Sequence, residues 1–257
     1  MAGLVVGEAL DPAATLFRAA DLATGAPRLV KLGAAAQIAG EASTLAQQTG
    51  LAGVVRLVDQ RPFGHGQAAL VTDLIEGVSL AQIIAAGALP WNPAVRIALA
   101  FAKILGAVHA RGIIHGGVRP SHLMLSGQGP VVFGFEAAVA LGAPYQAGAA
   151  QGTWAAPQAR VAALPAAPDQ DVYALAAVLS GLLGGSSPGG LAATGEALSS
   201  PDLPAALAEW LTIALGPRAP GRRGTMAEFS AGLAVVLAGG SPCPMPMPLP
   251  TSASSSS

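Results

Sequence analysis

Short apolar runs separated by turn residues dominate the first 73 residues of the chain. Val and Leu recur between turn signals such as T-G-A-P at residues 24–27, a pattern typical of short strands. Strands are predicted at residues 16–20, 28–32, 54–59 and 68–72. Between them, residues 34–48 are rich in Ala and favour a helix, for which Gly50 is the expected stop. The pattern therefore predicts a small β-rich unit built around one helix.

From residue 80 onward the apolar positions recur at three- and four-residue spacing, which is typical of helices. Asn92 followed by Pro93 is a favourable helix start, because Asn can cap the first turn and Pro fits its first position. This helix is expected to end near Gly112. Residues 172–183 are apolar on nearly every face and predict a helix buried in the centre of a larger unit. Residues 204–215 and 226–237 predict two more helices.

Composition and charge narrow the classes of function. The chain has 257 residues, 52% of them hydrophobic and 11% charged, with a net charge of -1. Without a basic excess, nucleic acid is not an expected partner. The single cysteine, Cys243, excludes an intramolecular disulfide framework and fits a reducing compartment. No signal peptide is recognisable, and no uninterrupted apolar run reaches the ~18 residues of a membrane span. We expect a cytoplasmic protein without a membrane span in this chain.

Residues 112–125 read G-I-I-H-G-G-V-R-P-S-H-L-M-L. This stretch resembles the catalytic loop of bacterial Ser/Thr protein kinases, H-G-D-x-K-P-x-N followed by an apolar strand. Further motifs follow in the family's order: R-L-V-K at 28–31, L-V-T-D-L-I-E-G at 70–77, W-A-A-P-Q at 154–158 and D-V-Y-A-L-A at 171–176. The resemblance covers about residues 4–237.

The resemblance implies an α+β, bilobal protein kinase-like fold. A small β-rich N-lobe with one main helix, together with the hinge, would occupy residues 1–77. A larger, mainly helical C-lobe would occupy residues 78–238. Residues 239–257, rich in Pro and Ser, are expected to be a disordered tail or linker.

Roles for several residues are carried over from the family. Lys31 would contact the nucleotide phosphates and pair with Glu41, while Asp73 and Ile75 would contact adenine through their backbone. The same Lys31–Glu41 pair could instead be only an ion pair that stabilises the small lobe. Structural roles are implied for His115, Phe135 (or Phe133, in a second register), Asp171 and Arg223, the last one facing Gln158.

The residues that carry kinase chemistry are replaced. Gly117 stands where the family has its catalytic Asp, Arg119 replaces Lys, and His122 replaces the metal-binding Asn. The family's D-F-G should fall within residues 131–136, in the register Gly134-Phe135-Glu136 or in the register Val132-Phe133-Gly134. Neither register supplies the Asp, which in the first of them is replaced by Gly134. We therefore expect no catalytic residues at these positions and no metal site, since magnesium needs oxygen ligands.

The loop that would cover the nucleotide phosphates is altered as well. Its three glycine positions fall on Ala9, Asp11 and Ala14, and Asp11 would place a negative charge beside the phosphates. Leu16 and Leu29 would partly fill the adenine pocket. Asp11 is expected to act as a turn-capping residue, and no cofactor is expected.

These features predict a pseudokinase, that is, a non-enzymatic kinase-like domain that binds a protein partner as a regulatory or scaffolding module in signalling. Two alternatives remain open. The first is an active Ser/Thr protein kinase that uses Arg119, His122 or Glu136 in new roles. The second is a sensor that binds ATP weakly, without metal and without turnover.

Overall fold

A computed structural model describes residues 3–144, 153–157, 164–185, 202–216 and 224–240. Arg223, its expected partner Gln158 and Cys243 lie outside the described residues, as does the tail beyond residue 240.

An antiparallel five-stranded sheet forms the first part of the structure. Its strands are β1 (Leu4–Ala9), β2 (Leu16–Asp21), β3 (Pro27–Ala34), β4 (Leu57–Gly64) and β5 (Gln67–Asp73). They lie in the spatial order β1-β2-β3-β5-β4. Successive side chains of a strand point to opposite faces, so Ala69 and Val71 of β5 join a small cluster on one face. Ala68 and Leu70 point to the other face and join the main core.

Helix α1 (Ala35–Gln47) lies between β3 and β4 along the chain and buries Ile38, Ala42 and Leu45. The loop after α1 is joined to a later strand, β9 (Gly129–Val132). The N–H of Val55 donates to the carbonyl of Val132 at 3.0 Å, and the N–H of Val132 donates to the carbonyl of Gly53 at 2.7 Å. These two bonds fasten the sheet-bearing part of the structure to the helical part.

The second part of the structure is mainly helical. Its helices are α2 (Leu80–Ala86), α3 (Trp91–Ala110), α4 (Pro168–Gly184), α5 (Ala205–Leu215) and α6 (Met226–Leu237). Its other strands are β6 (Gly77–Ser79), β7 (Ile113–Ile114), β8 (Leu123–Ser126) and β10 (Val139–Ala140), with short 3-10 helices at Pro120–His122 and Phe135–Ala137. Strands β6, β8 and β9 form one small sheet, and β7 pairs with β10.

Helix α3 carries the centre of this core. Its residues Phe101, Leu105 and Val108 are fully buried in a cluster that includes α4 and α6. Among the described helices, α3 alone is long and apolar enough to cross a membrane by length and composition. A core helix meets the same test, and α3 packs its apolar face inside the structure.

Most predicted elements lie close to where the sequence placed them, but β1 was not predicted and α4 begins four residues before its predicted start. Two other differences have a local cause. Strand β4 begins at Leu57 and not at Val54, because Val54 forms an isolated bridge with Val132. Helix α3 begins at Trp91, and the Asn92 side chain accepts a bond from Arg96 Nε at 2.7 Å and caps no helix end. A mixed α+β structure with an N-terminal β-rich sheet is compatible with the expected kinase-like fold.

Candidate functional site

A cavity of about 540 Å³ lies between the sheet and the helical part. Leu16, Leu29, Lys31 and Thr72 line it from the sheet, and Arg119, His122, Met124, Phe133, Gly134 and Glu136 line it from the helical part. This cleft therefore contains most of the residues that the resemblance singled out.

Lys31 projects from the middle of β3, opposite Leu16 of β2 and Leu70 of β5. Its Nζ atom lies 2.8 Å from Glu41 Oε2 and 3.3 Å from Glu136 Oε2. Burial would lower the pKa of Lys31, but the two carboxylates outweigh it and raise the pKa. Burial raises the pKa of Glu41, which Lys31 only partly offsets. The structure thus brings the predicted pair together and adds Glu136 as a third member.

Asp171, at the start of α4, holds the backbone of the loop that follows β7. Its Oδ2 atom accepts the N–H of His115 at 2.8 Å, and Oδ1 accepts the N–H of Gly116 at 2.9 Å. Oδ2 also lies 2.7 Å from His109 Nε2. Burial alone would raise the pKa of Asp171, but the bond from His109 and the neighbouring charges lower it. His109 was missed from the sequence, although it lies three residues before the stretch 112–125 that resembles the family's catalytic loop.

His115 packs against Phe135, with ring centroids 4.5 Å apart. His115 Nε2 lies 3.1 Å from the carbonyl of Phe133, and Nδ1 accepts the N–H of Gly117 at 3.2 Å. Burial lowers the pKa of His115, so the ring is neutral. Phe135 and Leu45 belong to the same buried cluster. Phe135 is thus the phenylalanine that packs on His115, as the register Gly134-Phe135-Glu136 predicts, and the register itself stays a prediction.

Arg119, His122 and Glu136 form a cluster on the helical side of the cleft. Arg119 Nε donates to His122 Nε2 at 2.9 Å, and Arg119 Nη2 lies 3.3 Å from Glu136 Oε1. Since arginine can only donate, His122 Nε2 is the acceptor, and Nδ1 carries the proton that faces the carbonyl of Gly117 at 2.9 Å. This assignment makes His122 a neutral side chain that orients the guanidinium of Arg119.

The charges of this cluster follow from burial and from its cations. Burial lowers the pKa of His122 to about 4, although Glu136 acts in the opposite direction. Burial would raise the pKa of Glu136, but His122 in its charged form and Lys31 lower it to about 2. At neutral pH, Glu136 is therefore an anion between the cations Lys31 and Arg119.

The side chains around the cleft do not fit a magnesium ion. Magnesium requires several oxygen ligands in an octahedral arrangement. Glu136 supplies a carboxylate, but one oxygen faces Lys31 and the other faces Arg119 and His122. Among the described residues, no group of three or more His, Cys, Asp or Glu side chains could hold a metal ion.

Gly134 could not carry the missing acidic side chain in this conformation. Its φ of +77° lies in the left-handed region, and a Cβ atom there would be 2.5 Å from His122 Nδ1. At Gly117, in contrast, the nearest atom to a Cβ would be Ala137 Cβ at 3.4 Å. The His122 ring occupies the space next to Gly134, whereas a Cβ atom at Gly117 would make only ordinary van der Waals contacts.

Asp11 lies in the loop between β1 and β2 and accepts hydrogen bonds from the residues at the end of that loop. Its Oδ1 atom accepts the N–H groups of Thr15 at 2.8 Å and Leu16 at 2.7 Å, and Oδ2 accepts the Thr15 hydroxyl at 2.7 Å. The bonds from Leu16 and Thr15 lower the pKa of Asp11. Asp11 caps this turn, as the sequence predicted, and uses two N–H groups that could otherwise face a phosphate.

The segment after β5 presents one backbone donor to the cleft. The carboxylate of Asp73 binds Arg28 Nη1 at 2.9 Å and Arg56 Nη2 at 2.7 Å, and the N–H of Asp73 donates to the carbonyl of Arg56 at 3.2 Å. The N–H of Ile75, which also lines the cleft, has no hydrogen-bond partner among the described residues. Of the two predicted adenine contacts, Ile75 is therefore the one with a free donor.

The chain has sequence similarity to a known protein over a short segment. No protein-family model matches the chain. The chain is 36% identical over 73 residues to the serine/threonine-protein kinase pkn2 of Myxococcus xanthus, a match that covers 28% of this chain and 9% of that protein. Because the matched segment is a small part of the relative, it supports at most a kinase-like chain.

The comparison corrects one expectation. The prediction that the chain is not an enzyme is wrong, because the relative is named as a Ser/Thr kinase and therefore points towards a kinase. The comparison also gives no support to the expected loss of activity or to a scaffolding role. Over its matched segment, the chain is similar to a Ser/Thr protein kinase.

Proposed function

We propose that this chain is a kinase-like phosphotransferase domain that binds ATP in the cleft and transfers its terminal phosphoryl group slowly to a protein. The observation that carries the proposal is the position of Lys31. Its side chain lines the cleft and is 26% exposed, and its ammonium group is held by the buried carboxylate of Glu41. A buried carboxylate paired with a cleft-facing lysine is costly, and a phosphate-binding role explains why the cation is kept there.

The adenine end of the cleft has matching features. Leu16 and Leu29 supply apolar surface from the sheet, and Met124 supplies it from β8 on the opposite side. The free N–H of Ile75 is a donor of the kind that an adenine ring nitrogen accepts. An apolar slot with one well-placed polar group is typical of small-molecule sites.

The phosphate end carries two cations, Lys31 and Arg119, on opposite sides of the cleft. Phosphoryl transfer needs little covalent chemistry from the protein and relies on positioning and on stabilisation of charge. Lys and Arg side chains that clamp a transferring phosphoryl group provide both. The chain therefore has two cationic side chains for this electrostatic role, in a cleft whose side chains do not fit magnesium.

No side chain in the described cleft is suited to act as general base at neutral pH. Gly117 has no side chain, and the pKa of His122 is lowered to about 4 by burial, despite the opposing effect of Glu136. The cations around Glu136 lower its pKa to about 2 against the effect of burial. Since a general base contributes roughly 10²–10⁴ in rate, we expect transfer to be slower than in a kinase with that base by about this factor.

Calorimetric titration with ATP tests the binding step. The wild-type chain should bind ATP, and Lys31→Met should weaken binding by about tenfold or more, since a bond to a charged group contributes about 1.5–3 kcal/mol. Lys103→Met is a matched control, because Lys103 is exposed on α3 and lies outside the cleft. A double variant, Lys31→Met with Glu41→Gln, removes both charges and guards against misfolding of the single variant. Equal affinity in all four proteins would refute the assignment.

Phosphoryl transfer is measured separately, with ATP labelled at the γ-phosphate and a generic protein acceptor. We expect slow label incorporation that Lys31→Met removes and Lys103→Met retains. Binding of ATP without any incorporation over long incubation would refute the transferase part of the proposal. The protein partner expected from the sequence is, on this proposal, the phosphoryl acceptor.

A further inference from the structure

We infer that the cleft binds its nucleoside triphosphate without a divalent cation, and that Arg119 and Lys31 together supply the positive charge a metal ion would otherwise bring. This inference rests on the proposed function and names the form of nucleotide that the same site recognises. It follows from the contacts of Arg119, His122, Gly134 and Glu136.

The space for a metal-holding side chain is already used. The His122 ring lies where a side chain at Gly134 would begin, at 2.5 Å from the position of a Cβ atom. His122 is held there by two bonds, from Arg119 Nε and to the carbonyl of Gly117. The His122 ring is therefore fixed at both nitrogens and leaves no room for a side chain at Gly134. In place of an oxygen ligand for a metal ion, this part of the cleft presents the guanidinium group of Arg119.

Arg119 has the exposure and the orientation that phosphate binding requires. Its side chain is 46% exposed at the cleft. Nε is occupied by His122 and Nη2 by Glu136, while Nη1 has no hydrogen-bond partner in the part of the chain that the structure describes. A guanidinium group binds phosphate oxygens through two parallel donors. Since His122 already fixes the plane of the group, little side-chain freedom remains to be lost on binding.

Glu136 acts as the internal competitor of the phosphates. Its carboxylate binds both Lys31 and Arg119, at 3.3 Å each. A triphosphate that enters the cleft must compete with Glu136 for the same two cations. The affinity of the cleft for the triphosphate therefore depends on the charge of Glu136 and on the charge of the triphosphate. Metal-free ATP carries more negative charge than its magnesium complex, and the complex gains no ligand here. Magnesium is therefore expected to leave affinity unchanged or to lower it.

The test is titration of the full chain with the non-hydrolysable β,γ-imido analogue of ATP, once in EDTA and once in excess MgCl2. Affinity in EDTA should equal or exceed affinity in MgCl2. Arg119→Gln should weaken binding in EDTA by about tenfold, the loss of one charged hydrogen bond. Glu136→Gln should strengthen it by about threefold or more, because the competing charge is removed. Arg96→Gln, an exposed position on α3, is the matched control and should bind as wild type does.

The outcomes separate the two proposals. If MgCl2 strengthens binding beyond the error of the titration, the metal-free inference is overturned while nucleotide binding stands. If Arg119→Gln binds as tightly as the Arg96→Gln control in EDTA, the role given to Arg119 is overturned. If the analogue binds in neither buffer, the proposed function fails and the inference fails with it.

Discussion

The steric relation between Gly134 and His122 permits a quantitative prediction. Gly134→Ala should destabilise the fold through two separate costs. An L-residue in the left-handed region costs about 1–2 kcal/mol, and φ at Gly134 is +77°. In addition, the new methyl group would lie 2.5 Å from His122 Nδ1, and overpacking of this kind costs about 1–3 kcal/mol. The total loss of unfolding free energy should be about 2–5 kcal/mol.

A double-mutant cycle separates the two costs. In a His122→Ala background the ring is absent, so Gly134→Ala should retain only its backbone strain, about 1–2 kcal/mol. The difference between the two backgrounds, about 1–3 kcal/mol, is the steric term. Gly117→Ala is the matched control, because its methyl group would meet no atom closer than 3.4 Å. We expect the control to cost much less than Gly134→Ala.

Urea unfolding followed by tryptophan fluorescence measures these free energies, since the chain contains three tryptophans. The reasoning is refuted if Gly134→Ala costs the same in both backgrounds, because the ring would then not occupy the space assigned to it. It is equally refuted if Gly134→Ala costs no more than Gly117→Ala.

Three further predictions concern pH, the buried carboxylate and the turn. Burial lowers the pKa of His122 to about 4 from 6.5, so between these two pH values the unfolded chain binds more protons than the folded chain. The free energy of unfolding therefore has the full contribution of His122 above pH 6.5 and falls as the pH is lowered towards 4. His122→Gln should remove about 3 kcal/mol of this fall, measured by urea unfolding at pH 7.5 and pH 4. Asp171→Ala leaves two backbone N–H groups without acceptors and should cost about 2–5 kcal/mol in the same assay, whereas the exposed Asp202→Ala should cost little. Asp11→Ala removes a negative charge and frees two N–H groups of the turn, and should strengthen binding of the ATP analogue by about two- to threefold in calorimetry; weaker binding would contradict this account.

The local elements of the fold were accessible from the sequence because their periodicity reports a single buried face. Helices α5 and α6 begin and end close to the predicted residues for this reason, whereas α4, which is buried on nearly every face, begins at Pro168, four residues before its predicted start. The start of β4 was not accessible, because residues 53–55 satisfy their backbone on β9, far along the chain. The preference of Asn92 for a helix cap was also overridden, since α3 begins one residue before it.

The candidate site was predictable only as far as the family resemblance reached. It indicated that Lys31 meets Glu41 and that Asp171 binds the loop backbone, and the structure has both contacts. It left the register around Phe135 open, and it did not show that Phe135 packs against His115. The resemblance could not reveal that Arg119, His122 and Glu136 contact one another. Which nitrogen of His122 carries the proton depends on these neighbours, and the family pattern does not contain them.

The two hydrogen bonds between the loop after α1 and β9 have a mechanical consequence. They join the sheet and the helical part at Val132, which is fully buried. The chain also crosses between the two parts at residues 74–76. Arg111 Nη1, at the end of α3, joins them at a further place by donating to the carbonyls of Gln47 at 3.0 Å and Thr49 at 3.2 Å. The Lys31–Glu136 ion pair spans the cleft between the same two parts, so the distance between its charged atoms would lengthen if the cleft opened.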